Sequence, residues 1–188
     1  MKWILPGTVL TGDTAEAHSL EAQFTALTLA GGIVLSQVAA ISGLEPYAVQ
    51  NWVKRGFLPR PEKKRYNLNQ LCRILQINAL RAALPMDRIC GLLHYVNGAL
   101  DDAGDDLIDD AALYFLFLRA AAAYEERGES PEAAADQVLS QAALAPEAQS
   151  RVRTVLVIML TAYLASRLRA QAEAAITQLP TGSERRIS

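Results

Sequence analysis

The chain has 188 residues, of which 51% are hydrophobic, 20% charged and 6% aromatic, and its formal net charge is −2. With thirty-two alanines, few Pro and Gly and only two cysteines, this mixture excludes a collagen-like chain, a disordered polyampholyte and a disulfide scaffold. It predicts an all-α protein, because Ala, Leu, Gln, Glu and Arg lose little freedom on entering a helix.

The start, Met1-Lys2-Trp3-Ile4-Leu5-Pro6-Gly7, is broken too soon to serve as the apolar core of a signal peptide. Thr11-Gly12-Asp13 supplies cap chemistry for a helix over 14–30 that Gly31-Gly32 ends, so residues 1–32 read as an N-terminal helical extension. A short helix over 35–42 stops at Gly43. The next starts on Pro46, runs to about Arg55 and leaves through Gly56. Pro59 and Pro61 bar a helix from 57–66 and leave a tight basic hairpin, the only strand expected in the chain. Asn67 or Asn69 caps a helix to about Ala83, and Pro85 opens another to Val96 that Asn97-Gly98 closes. Beyond an Asp-rich link, helices are predicted at 106–126, 131–143 and 147–177, with Ser130-Pro131 and Ala145-Pro146 at the boundaries and a flexible tail at 181–188. The resulting division is 1–32, 33–98, 99–180 and 181–188.

Two apolar stretches fail as membrane spans. Residues 22–44 carry no charge but are interrupted by Gly31-Gly32 and several Gln and Ser. The run at 154–166 lies between Arg153 and Arg167, about 13 positions where about 20 are needed. The expectation is a cytoplasmic protein with no membrane partner.

The charge is unevenly spread. Residues 1–49 sum to −3, residues 50–88 to +7 and residues 89–188 to −6. One basic island between two acidic arms produces a local field that attracts a polyanion. Within it, Val49, Trp52 and Val53 share one face of the helix from Pro46, while Tyr47, Gln50, Asn51 and Lys54 share the other at i, i+3, i+4 and i+7. Side-chain amides pair with adenine edges and Lys reaches guanine or phosphate. An isolated Lys-Lys-Arg run is ordinarily a solvated patch. Here Arg55, Arg60, Lys63, Lys64 and Arg65, with Tyr66 at the foot of the hairpin, adjoin an uncharged polar helix face. A helix-turn-helix followed by a basic hairpin is a winged-helix arrangement, with the second helix in a major groove and the wing on phosphates or in the adjacent minor groove. The DNA-binding candidates are therefore Tyr47, Gln50, Asn51, Lys54, Arg55, Arg60, Lys63, Lys64, Arg65 and Tyr66. Neutralising roughly 4–6 phosphates would set a slope of log K against log salt of about −4 to −5 per unit.

Val34 through Leu44, Pro46 through Val49, Lys54-Arg55-Gly56-Phe57-Leu58-Pro59, Arg65-Tyr66 and Leu84 through Leu93 resemble the MerR superfamily of transcription regulators, over about residues 34–97. Gln50-Asn51-Trp52-Val53-Lys54-Arg55-Gly56, with Asn97-Gly98 and Asp105-Asp106-Leu107-Ile108-Asp109-Asp110, is similar more closely to a MerR-like bacterial group, the domain-of-unknown-function family 1836, over roughly 30–118. The resemblance implies a winged helix-turn-helix domain with a small β-hairpin wing that docks on double-stranded DNA. The chain departs from ordinary MerR proteins at Glu45, a poor cap where Ser or Thr is usual. It departs again at Gln50-Asn51, where the usual pair is Arg-Tyr.

In the C-terminal half, Val152, Val155, Leu156, Met159, Tyr163 and Leu164 form one stripe, and Val157, Ile158, Ala162 and Ala165 fill much of the opposite side. A helix apolar all round is buried all round, inside a helical subdomain or against a second subunit. A homodimer is expected, with the later helices dimerising and sensing a small-molecule effector. The Asp101–Asp110 run lacks the alternating ligand spacing of a calcium loop and reads as acids at a helix start. Cys72, Cys90, His18 and His94 have no metal-site spacing, and no phosphate loop, nucleophile elbow or partnered carboxylate pair is present. No catalytic residue, metal or cofactor is expected. Two rivals to the regulator remain: a winged-helix module that binds protein, and a sensor with a pocket among Tyr114, Phe115, Phe117, Tyr124 and Tyr163.

Overall fold

A computed structural model describes residues 2–98 and 107–179. The chain is mostly helical, with eight α-helices and two small two-stranded sheets among the described residues. The first surprise is at the start. Strands β1 (Lys2–Ile4) and β2 (Thr11–Asp13) pair antiparallel, with Trp3 opposite Gly12, where a helical extension was expected. Three-residue strands are too short to show a period-two pattern, yet Trp3 and Leu5 turn inward while Ile4 faces out. The Asp13 carboxylate then accepts from the Ala15 N–H, one turn of 3-10 helix follows, and α1 (Ala17–Thr28) runs to the glycine pair.

Strand β3 (Ile33–Val34) leads directly into α2 (Leu35–Ser42), which Gly43 ends at φ 69°. After Leu44 and Glu45, α3 (Pro46–Lys54) begins on the proline and unwinds through Gly56. The 57–66 hairpin is smaller than expected. Its only internal pairing among the described residues is one bridge from Glu62 to Arg65, while β4 (Arg65–Tyr66) pairs back onto β3.

Helix α4 (Leu68–Leu80) is the axis of the molecule. Asn67 and Gln70 cap its start reciprocally, and nearly every side chain along it is buried. It packs against α1, α2, α5 (Met86–Asn97), α6 (Asp110–Arg127) and α8 (Pro146–Thr177), with α7 (Pro131–Leu139) joining α6 to α8. Its polar groups act as clips. The Gln70 amide donates to the Pro59 and Arg60 carbonyls, holding the hairpin. Arg73, only 1% exposed, donates from Nε to the Phe57 carbonyl and from Nη1 to the Asp110 carboxylate at 3.2 Å. Gln76 donates to the Asp110 carbonyl, and Asn69 accepts from the Ala111 N–H. The segment after α3 is thereby fastened to the start of α6.

The dense run Leu113–Leu118 is buried throughout, as are Val152, Val155, Leu156, Met159 and Tyr163 of α8. By length and composition α8 passes as a membrane span, but those residues are packed against the other helices. Beyond Leu164 α8 touches the body through Ser166, Arg167 and Ala170, and Leu168 and Ile176, with Leu179 just past the helix end, are about two-thirds exposed, at 67%, 66% and 65%. Asp109 caps α6 through the Ala112 N–H, as a run of acids at a helix start predicts; its part at 101–106 lies outside the described residues, as does the tail at 181–188.

Candidate nucleic-acid interface

Helix α3 is built to present one face. Val49 and Trp52 are buried beneath it, Val53 half-buried at its margin, and Tyr47, Gln50, Asn51 and Lys54 are exposed, Tyr47 by 71%. Glu45 occupies the N-cap position and makes no side-chain cap bond, so the start of the helix relies on Pro46. At the other end the Arg55 guanidinium lies over the Phe57 ring, 4.8 Å from its centre, which holds it beside the exit of α3.

The turn that follows carries the cations. Lys63 and Lys64 sit at φ 47° and 63°, a pair of left-handed residues between Glu62 and Arg65, and the Arg65 N–H closes the turn on the Glu62 carbonyl at 2.8 Å. Two consecutive positive φ values are the geometry of a type I′ hairpin turn, for which Asn-Gly is the usual sequence. Two exposed lysines hold it here. The tip is anchored at its base, where the Arg65 guanidinium donates to the Gly32 carbonyl at 2.9 Å.

Helix face and turn meet across a groove of about 360 Å³. Gln50 and Val53 of α3, Pro61 and Lys64 of the turn, and Leu35 and Tyr66 line it. Of the ten candidates, Tyr47, Gln50, Asn51, Lys54, Arg55, Arg60, Lys63, Lys64 and Arg65 are exposed, and Gln50 and Lys64 among them line the groove. Tyr66 is the exception. Alternation along β4 turns Arg65 out and Tyr66 in, leaving the ring 3% exposed and its phenol pushed up by burial. It is a core residue that borders the groove, not an exposed DNA contact. Arg73, one of the cations of the basic island, also points inward, onto Asp110.

The pocket anticipated among C-terminal aromatics takes a different form. Tyr114, Phe115 and Phe117 are packed in the core with exposures of 2% or less, Tyr124 is half-buried, and Tyr163 borders an open cavity. Cys72 and Cys90 are free and buried, which raises both thiols. Among the described residues no group of three metal-ligating side chains forms.

Residues 34–117 match the family model described as Domain of unknown function (DUF1836), a span from β3 into α6 that contains the whole groove. This supports the resemblance to that family. No curated protein and no solved structure matches the chain.

Proposed function

We propose that the chain is a cytoplasmic transcription regulator of MerR-like winged helix-turn-helix type, which reads double-stranded DNA with α3 and grips the backbone with the Lys63-Lys64 turn. The observation that carries this reading is the shared groove: Gln50 of the polar helix face and Lys64 of the cationic tip line one depression. In the proposed mode Tyr47, Gln50, Asn51 and Lys54 lie in the major groove, and Arg55, Arg60, Lys63, Lys64 and Arg65 reach phosphates. Affinity selection from a random duplex pool tests it. Recovery of a defined site, with a salt slope of about −4 to −5 per unit, is the expected result. Retention that is weak and indifferent to salt would favour the rival in which the same fold docks a protein.

A modest cationic footprint requires two units for useful affinity, and the free end of α8 supports a homodimer. Leu168, Ala172, Ala175 and Ile176 form one exposed stripe at i, i+4, i+7 and i+8. Antiparallel pairing about Ala172 sets Leu168 against Ile176 of the partner subunit. Light scattering on the full chain checks this: a dimer that Leu168→Glu with Ile176→Glu converts to a monomer, while its helical signal is retained. A wild-type monomer at tens of micromolar would remove the dimer from the proposal.

A further inference from the structure

Given the DNA-binding reading, on which this rests, we infer that α3 reads two successive A·T base pairs. Gln50 and Asn51 each hold the major-groove edge of one adenine, and the apolar part of the groove takes the methyl group of the thymine paired with the adenine on Gln50.

These two amides differ in use from most others between β3 and α6, which serve as internal clips. Gln37 accepts from the Val34 N–H and Asn69 from the Ala111 N–H, while Gln70 donates to the Pro59 and Arg60 carbonyls and Asn78 to those of Gly7 and Ser42. Gln50 and Asn51 instead stand exposed at consecutive positions of α3. An exposed amide keeps its carbonyl oxygen and its NH₂ side by side. That pair of groups matches the N6 donor and N7 acceptor of adenine. Guanine offers two acceptors there, which suit Arg or Lys, and cytosine a donor, which suits a carboxylate. Neighbouring residues of a helix diverge by about 100°, so the two side chains are set to reach adjacent base pairs, not the same one.

A second observation favours the same base pair. Val53, half-buried, is the i+3 neighbour of Gln50, and both line the groove together with Leu35 and Pro61. Among the four bases, the apolar group on a major-groove edge is the C5-methyl of thymine. An apolar lining beside an adenine reader therefore rewards the thymine that adenine brings with it. Lys64, on the same groove, is placed for the flanking phosphate.

The test uses the full chain and a duplex recovered by selection from a random pool, with base analogues placed one position at a time. 7-Deazaadenine, which replaces the N7 acceptor by C–H, should weaken binding about five-fold or more at two adjacent pairs of each half-site. Deoxyuridine, which lacks only the thymine methyl, should weaken it about four-fold opposite the adenine held by Gln50. Gln50→Ala should abolish the 7-deazaadenine penalty at one of the two pairs and Asn51→Ala at the other, with the melting temperature unchanged because both side chains are exposed. Gln50→Glu should move the preferred base at its position from adenine to cytosine. Val53→Ala should bring thymine and deoxyuridine to equal affinity. A defined site at which 7-deazaadenine has no effect at any adenine, or whose penalties survive Gln50→Ala and Asn51→Ala, overturns the assignment of the two amides and leaves the DNA reading standing. Equal affinity of the wild type for thymine and deoxyuridine at every position overturns the methyl contact. Recovery of no duplex at all removes the DNA reading itself.

Discussion

Two tight turns in this chain solve the same backbone problem in opposite ways. The Pro6-Gly7 turn and the Lys63-Lys64 turn both need left-handed residues, at φ 73° for Gly7 and at 47° and 63° for the lysines. Gly7 is wedged against α4, where an added Cβ would stand 1.9 Å from the Leu75 carbonyl oxygen. Its neighbours are tied down by the Tyr114 hydroxyl on Pro6 and the Asn78 amide on Gly7 itself. The lysine turn is exposed and covered by nothing comparable. Left-handed geometry costs an ordinary side chain about 1–2 kcal/mol per residue, a cost glycine avoids. Glycine thus stands where packing leaves no room, and the lysines take the strained conformation where the turn is open to solvent. The strain is offset at the base of the turn, by β3–β4 pairing and the Arg65–Gly32 bond. Sparsely populated backbone conformations of this kind concentrate at functional sites.

The largest effect that could break this comparison is at the packed turn. Gly7→Ala combines a positive φ with a clash against backbone that cannot yield, and should cost roughly 2–4 kcal/mol of stability. Urea denaturation reads it as a fall in midpoint at constant slope. A variant within about 0.5 kcal/mol of wild type would mean that the loop is not wedged on α4.

At the lysine turn the expected loss is in binding rather than folding. Lys63→Glu with Lys64→Glu should weaken duplex binding at least ten-fold and reduce the salt slope by about 2, since two phosphate contacts are lost. The melting temperature should scarcely move, because both side chains are exposed. Unchanged affinity at low salt would leave the tip without a role in the interface.

The helices were legible because their ends carry local chemistry. Pro46 and Gly56 bracket α3, Asn67 caps α4, and Ser130-Pro131 and Ala145-Pro146 open α7 and α8, each a signal within a few residues of its effect. The buried stripe of α8 from Val152 to Tyr163 was legible from period alone. What escaped depends on distant partners. Ile33-Val34 is a strand only because Arg65-Tyr66, some thirty residues on, pairs with it, and that pairing turns Tyr66 from a surface contact into core. Arg73 counts as one more cation in a composition, yet Asp110 and the Phe57 carbonyl draw it inside. Among the candidate residues, the periodicity of α3 did separate exposed Tyr47, Gln50, Asn51 and Lys54 from buried Val49 and Trp52. It could not reveal the groove, which exists only once the turn is folded beside Gln50 and Val53.

The finest probe of the contrast replaces lysine by the residues the turn prefers. Lys63→Asn with Lys64→Gly keeps the type I′ geometry and relieves two strained φ values, so stability should rise by about 1 kcal/mol, part of the nominal relief being lost because glycine adds freedom to the unfolded chain. Duplex affinity should fall several-fold, less than for the double Glu variant, because charge is removed and not reversed. The two changes have opposite signs, which separates this outcome from a general loosening of the hairpin, where both would fall together. A variant that gained stability and kept full affinity would show that the strained lysines serve neither folding nor binding, and the contrast with Gly7 would then reduce to which residue packing happens to permit.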